Sequence, residues 1–372
     1  MFISAVGILQ AVLLAGLLYF HPRSDKSVNK FLAFFIICLC APMFYPLLME
    51  ALPWQYIIFI APFTLLPGPA MYLYVRSFKE TITFKKAWPH FIIFFVFVAT
   101  VLNVSLTIGS KYPRTPDIPA EVLHSPLTFI PVTVRMAQML LYYFLARKAL
   151  RSYQTSIQQL FSETSKIDLH WVRWLINGYL ILVITSISLY SLVLWYTNAF
   201  NVLIVINAAV FTPYIYLITY KGITQLTIWQ MKPQASKAEL EQEMETESLK
   251  INHEAGGKND ELINKIIAVM EHDKLYQEAE LTLQQLSDRL LVPSYIVSQV
   301  INEKMNKNFY DLVNGYRVEE AKRLLVNPRN KNFTVLSVGF EAGFNSKTSF
   351  NTVFKKLTGL TPTEYRGQQK AN

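Results

Sequence analysis

Long apolar runs fill the first 220 positions, and the pattern then changes to short amphipathic helices separated by turn residues. Seven apolar stretches occupy roughly residues 2–20, 28–49, 54–75, 88–108, 126–145, 171–196 and 200–220. Most hold about 20 residues or more, the length that crosses about 30 Å of hydrocarbon at 1.5 Å per residue. Runs such as FIIFFVFVATVL (91–102) carry no charge and lack the polar face that a helix of a soluble all-helical core presents to water. The pattern predicts an all-α chain that begins with a seven-span transmembrane helical bundle. Pro62, Pro67, Gly68 and Pro69 break the third stretch, either as a structural kink or as the wall of a pocket. Asn103, Asn177, Asn201 and Asn207 are expected to hydrogen-bond between helices, and Trp54, Trp88 and Trp171 to anchor span ends. Arg135 lies inside the fifth stretch, where a charge must face the bundle interior, face water or snorkel. It is the candidate intramembrane signal site, able to pair with an anionic signal.

Residues 222–258 read as an acidic linker. Glu239, Glu241, Glu243, Glu245 and Glu247 recur every second position and spread around a helix, so a solvated tether is expected. The Gly256-Gly257 pair disfavours helix, while Leu240, Met244 and Leu249 leave a short dimerising helix as the alternative.

Helical spacing resumes from Asp260, with Leu262, Ile266, Ile267, Val269 and Met270 on one face. Thr282 can cap a helix bearing Leu283, Leu286 and Leu290; a turn follows at Leu291-Val292, and Pro293 suits a first helical turn. In the next helix Val297, Val300 and Ile301 face inward. Tyr295, Ser298, Gln299 and Asn302 then share the outward face, as side chains of a first recognition helix entering a major groove would. A connecting helix over 310–326, about 25 Å long, carries Leu312, Val313, Tyr316, Ala321, Leu324 and Leu325 and can hold two readers about one groove turn apart. The second unit begins near Thr334. Gly343 sits at its turn, and Asn345 or Ser346 caps a helix whose Phe350, Val353 and Phe354 point inward. Ser346, Lys347, Thr348, Asn351, Thr352 and Lys355 are the candidate contacts of the second recognition helix, with Lys356 also near the DNA backbone. Asn suits adenine edges, Lys guanine or phosphate, and Thr the thymine methyl. Thr361-Pro362 opens a last short helix with Tyr365 and Arg366.

Composition and charge agree. The chain is 52% hydrophobic and only 16% charged, against about a quarter charged in soluble domains. Through residue 220 there are 15 Lys and Arg against 7 Asp and Glu; over 281–372 there are 13 against 7, a modest +6. Arg23, Lys26 and Lys30, then Arg76, Lys79, Lys85 and Lys86, then Arg147, Lys148, Arg151 and Lys166 follow the first, third and fifth stretches, and Lys221 the seventh. The alternate loops carry only Lys111 and Arg114, so the positive-inside rule puts the N-terminus outside and the C-terminus in the cytoplasm, where DNA is. Cys38 and Cys40, two apart in one helix, diverge and do not bridge easily. No Cys/His metal spacing, phosphate-binding glycine loop, GxSxG or HExxH is present, so neither cofactor nor enzymatic chemistry is expected. His90 and His170 stand at predicted span edges.

GFNSKTSFNTVFKKLTGLTPTEYR (343–366) resembles the signature of AraC-type transcription regulators, and LTLQQLSDRL and FYDLVNGYRVEEAKRLL resemble the first reader and linking helix of that domain. The resemblance covers about residues 260–366. It implies a double helix-turn-helix fold, double-stranded promoter DNA read by both recognition helices, and commonly a homodimer. LLPGPAMYLYVRSF with FKKAWPHF is similar to the membrane domain of membrane-bound members from Bacteroidetes-like bacteria. Departures are Leu291 where glycine is usual, Pro293 where a Ser cap is usual, Gly339 in place of alanine and Asn306 in place of glycine.

The organisation expected is a transmembrane sensor over 1–221, the linker over 222–258 and the DNA reader over 259–372. The function expected is that of a membrane-tethered, sequence-specific transcription regulator in a bacterial inner membrane, its partners the lipid bilayer, promoter DNA and an unidentified small-molecule or peptide signal. The alternative is a transporter or membrane receptor with a C-terminal regulatory protein-binding tail.

Overall fold

The computed structural model describes residues 2–20, 26–49, 51–107, 111, 126–165, 167–196, 200–224, 256–330 and 332–371. The chain divides into two compact units, Met1–Tyr153 with Leu169–Gln230, and Gln154–Asp168 with Met231–Asn372.

The first unit holds α1 (Phe2–Phe20), α2 (Lys26–Cys38), α3 (Ala41–Leu48), α4 (Trp54–Ile57), α5 (Pro67–Arg76), α6 (Phe84–Ala87), α7 (Ile92–Thr107), most of α8 (Pro126–Gln158), α9 (His170–Trp195) and α10 (Phe200–Thr224). Helix α1 packs on α2 and α10, α2 on α5, and α9 on α10. Phe35, Tyr74 and Tyr179 lie in the interior, whereas Leu13, Phe95, Val96 and Ile181 stand outward and exposed. Among the described residues, Val28–Leu48, Trp54–Arg76, Phe84–Thr107 and His170–Val193 are long and apolar enough to cross a membrane; Ser4–Phe20 and Val202–Ile218 are shorter apolar helices. The fifth predicted stretch runs on to Gln158, because Ala146, Leu150, Tyr153 and Ile157 continue one buried stripe past the basic residues expected in a loop.

The predicted break of the third stretch is a 3₁₀ turn over Ile58–Leu65 that contains Pro62, followed by α5 with Pro67 in its first turn, where a missing N–H costs no helical bond. Thr64 Oγ1 donates to the Ala61 carbonyl at 2.6 Å there. Asn177 accepts from Arg147 at 2.9 Å and Asn207 donates to Ser186 at 3.2 Å, both between helices. The Asn201 side chain lies outside the described residues. Trp54 and Trp171 are buried rather than at an exposed edge, because their rings fill the core; Trp88 alone of these three is exposed.

In the second unit the helices are α11 (Gly256–Glu271), α12 (Leu283–Leu290), α13 (Ser294–Glu303), α14 (Phe309–Val326), α15 (Val335–Glu341), α16 (Lys347–Thr358) and α17 (Pro362–Ala371). Helix α11 starts at the glycine pair expected to oppose it, since Leu262, Ile266 and Met270 bury one face. The remainder of the acidic linker, 225–255, lies outside the described residues.

Two cores flank α14. Leu312 and Val313 join Leu283, Leu286, Val297, Val300 and Ile301 in one; Val318, Ala321 and Leu325 join Val338, Phe350, Val353 and Phe354 in the other. Both helix pairs thus pack on a single strut of 18 residues, about 27 Å long. Residues 154–168, the end of α8 and the segment that leads to α9, also belong to this unit and contribute Leu160 to the first core.

Candidate nucleic-acid interface

The first helix pair is held by local chemistry written in its turn. Thr282 and Gln285 form a capping box: the Thr282 hydroxyl accepts from the Gln285 amide at 3.2 Å, and the Gln285 side chain accepts from the Thr282 amide at 2.8 Å. Leu291 ends α12 in a left-handed conformation, φ 55°, with its side chain 91% exposed. A leucine there costs about 1 kcal/mol or more relative to glycine, as the departure from the usual residue predicts. Pro293 is the cap residue before α13 rather than a member of its first turn; its extended ψ of 140° redirects the chain. Ser294 takes up the tie between the helices by donating to Gln284 at 2.6 Å.

Of the predicted first-helix contacts, Gln299 is exposed, while Tyr295, Ser298 and Asn302 are half-buried. Asn302 folds back to donate to the Ser298 carbonyl at 2.8 Å, and Gln299 donates to Glu303 at 3.2 Å. This face therefore carries polar groups already engaged with each other, and one carboxylate.

The second pair is more regular. Thr334 caps α15, its hydroxyl accepting from the Ser337 amide at 3.0 Å. Gly343 makes the turn at φ 96°, where an added Cβ would sit 2.4 Å from the Tyr276 carbonyl oxygen and 2.8 Å from Gln277 Cα. Only glycine satisfies both backbone angle and space. Ser346, not Asn345, caps α16, its hydroxyl oxygen accepting from the Ser349 amide at 3.1 Å while its O–H remains able to donate. Phe350, Val353 and Phe354 are buried, and Gly339 admits the Phe350 ring so closely that an added Cβ would be 2.5 Å from it. The outer face presents Lys347, Thr348, Thr352 and Lys355, exposed, with Asn351 half-buried among them. Their spacing brings one amide, two hydroxyls and two ammonium groups onto one side of a single helix. Lys356 turns away from this group, pairing with Asp311 at 3.1 Å.

Asn306 takes the left-handed angle expected of it, φ 51°. Sequence reasoning passed over Arg317. It is fully buried on the α14 stripe Val313–Arg317–Ala321, donates to the Tyr276 and Glu278 carbonyls at 2.8 and 2.7 Å, and lies over the Phe344 ring at 5.8 Å. Burial lowers its pKa to about 10, opposed by the nearby Glu163 carboxylate. It joins the loop ahead of the first pair to the turn of the second. A lone arginine at four-residue spacing between apolar positions was the available sign.

Residues 286–368 match the family model of a helix-turn-helix domain. Over 122 residues the chain is 28% identical to YtdP of Bacillus subtilis, an uncharacterized HTH-type transcriptional regulator, covering 33% of this chain and 15% of that protein. An uncharacterized HTH-type transcriptional regulator of Staphylococcus aureus is 29% identical over 113 residues, covering 30% of this chain and 14% of its own. The chain thus spans only a small part of the curated relatives' length. A solved structure of a Listeria innocua protein of unknown function is 26% identical over 28% of this chain and 94% of its own, with a TM-score of 0.25. The C-terminal unit therefore carries a helix-turn-helix domain over residues 286–368, and the relatives that share it are named as HTH-type transcriptional regulators.

Proposed function

We propose that this chain is a membrane-tethered, sequence-specific transcription regulator, with a seven-span bundle over residues 1–221, an outer N-terminus and a cytoplasmic reader acting on promoter DNA as a homodimer. The observation that carries the DNA-reading assignment is the α16 face: Lys347, Thr348, Asn351, Thr352 and Lys355 stand outward above Phe350, Val353 and Phe354. The exposed apolar flanks of α7 and α9, with the basic residues after alternate spans, support lipid around the first unit.

The same unit holds a partly open cavity of about 210 Å³ among Tyr45, Thr64, Arg135, Ser186, Tyr190 and Asn207, with aliphatic and aromatic walls. Arg135 donates to Thr64 at 3.3 Å, and its buried Nε has no hydrogen-bond partner among the described residues. A small anion with an apolar body, such as a carboxylate, matches that donor and supports a signal-sensing role for the cavity. Selection of genomic fragments by the intact protein in lipid nanodiscs tests the reading. Enrichment of a defined site, lost in Lys347→Ala and Asn351→Ala, supports it; recovery of random fragments, or an extracellular C-terminus by protease access, overturns it. Substrate uptake into vesicles without site-specific DNA binding would favour a transporter with a regulatory tail.

A further inference from the structure

The DNA-reading unit incorporates a segment from far upstream in the chain. Phe161 and Thr282 form an antiparallel bridge, flanked by Ser162 N–H donating to the Leu281 carbonyl at 3.1 Å and Leu283 N–H donating to the Leu160 carbonyl at 2.9 Å. Leu283 is the first residue of α12, so its N–H has no acceptor within the helix, and the upstream segment supplies one. Ser162 Oγ donates to the Leu281 carbonyl at 2.7 Å and accepts from Arg317 at 3.1 Å, while the Ser162 carbonyl accepts from Asn314 at 2.9 Å. Leu160 is buried in the first core and Phe161 packs on it. Glu163 adds the carboxylate that opposes the desolvation of Arg317. Backbone pairing, an apolar anchor and a counter-charge converge on about four residues.

We propose that residues 160–163, the segment joining α8 to α9, dock as an added strand on the reader at Leu281–Leu283 and Arg317, giving the DNA-binding unit a second attachment besides the acidic linker. Movement of α8 against α9 then bears directly on the cap of α12 and on the arginine joining the two helix pairs. The docking is independent of whether those helices cross a bilayer, so it stands or falls apart from the functional reading above.

The test uses the full chain in detergent micelles, with Cys38→Ala and Cys40→Ala and a protease site within residues 225–255. A non-hydrogen-bonded antiparallel pair puts its Cα atoms about 4.5 Å apart, inside the range a disulfide needs. Phe161→Cys with Thr282→Cys is expected to cross-link under mild oxidation, so that the two fragments stay joined on a non-reducing gel after cleavage. Phe161→Cys with Leu291→Cys is the control and is expected to separate. Amide exchange on the chain without introduced cysteines gives a second reading that no disulfide perturbs: Ser162 and Leu283 should be protected at least tenfold, and Leu160→Asp should remove the protection at Leu283. Fragments that separate in both cysteine pairs, or a Leu283 amide as fast as in a free peptide, would overturn the docking.

Discussion

Replacing Gly343 by alanine separates backbone strain from steric exclusion within one unit. At φ 96° an L-residue suffers the left-handed penalty, about 1–2 kcal/mol. The new methyl would also lie 2.4 Å from the Tyr276 carbonyl oxygen and 2.8 Å from Gln277 Cα, both main chain and unable to rotate aside. Overpacking of that kind costs about 1–3 kcal/mol, so the total is about 2–5 kcal/mol. Two internal comparisons isolate the terms. Gly359, φ 79° with open space about its Cβ, should lose only the backbone share on substitution by alanine, about 1–2 kcal/mol. Gly315, inside α14 with nothing near its Cβ, should gain about 0.5–1 kcal/mol. Because a domain holds only about 5–15 kcal/mol, Gly343→Ala should bring the second unit near its folding threshold. Hydrogen exchange of buried α16 amides in the full chain reads the opening free energy of that unit without requiring the other to unfold. The predicted order is Gly315→Ala above the parent, then Gly359→Ala, then Gly343→Ala. A Gly343→Ala protein as protected as Gly359→Ala would refute the steric argument, and with it the packing of the second turn against the Tyr276 loop.

Three further outcomes are expected. Lys347→Ala should weaken binding to all duplexes and lower the slope of log affinity against log salt by about 0.9, read by titration at several ionic strengths; an unchanged slope would remove Lys347 from phosphate contact. Arg317→Lys keeps the charge but loses the planar fork that reaches the Tyr276 and Glu278 carbonyls, so denaturant titration followed by amide exchange in α12 and α15 should show a loss of at least about 2 kcal/mol. The Arg323 hydrogen bond holds the Glu320 carboxyl below its ordinary value of about 4.5. A lowered acid pKa stabilises the fold above the unfolded value and loses that contribution as pH falls through the folded one. Arg323→Ala should therefore flatten the stability profile of the second unit in the acid range, and a profile identical to the parent would discount the pair.

Much of the reader was legible in one dimension because its determinants are local. Thr282, Thr334 and Ser346 cap helices through their own neighbours, Gly343 and Asn306 mark positive φ, and apolar spacing assigned Val297, Val300, Ile301, Phe350, Val353 and Phe354 to the interior. Capping and periodicity act over three or four residues, so sequence alone determined the helices, their turns and the outward face of α16. Tertiary structure decided what distance along the chain conceals. It buried Trp54 and Trp171, folded Asn302 back on Ser298, paired Lys356 with Asp311, and gathered Arg135 with Tyr45, Thr64 and Tyr190 around one cavity. Above all it brought Ser162 to Leu281 and Arg317, more than a hundred residues away, because unpaired main-chain groups and a buried guanidinium must find partners wherever the chain can supply them.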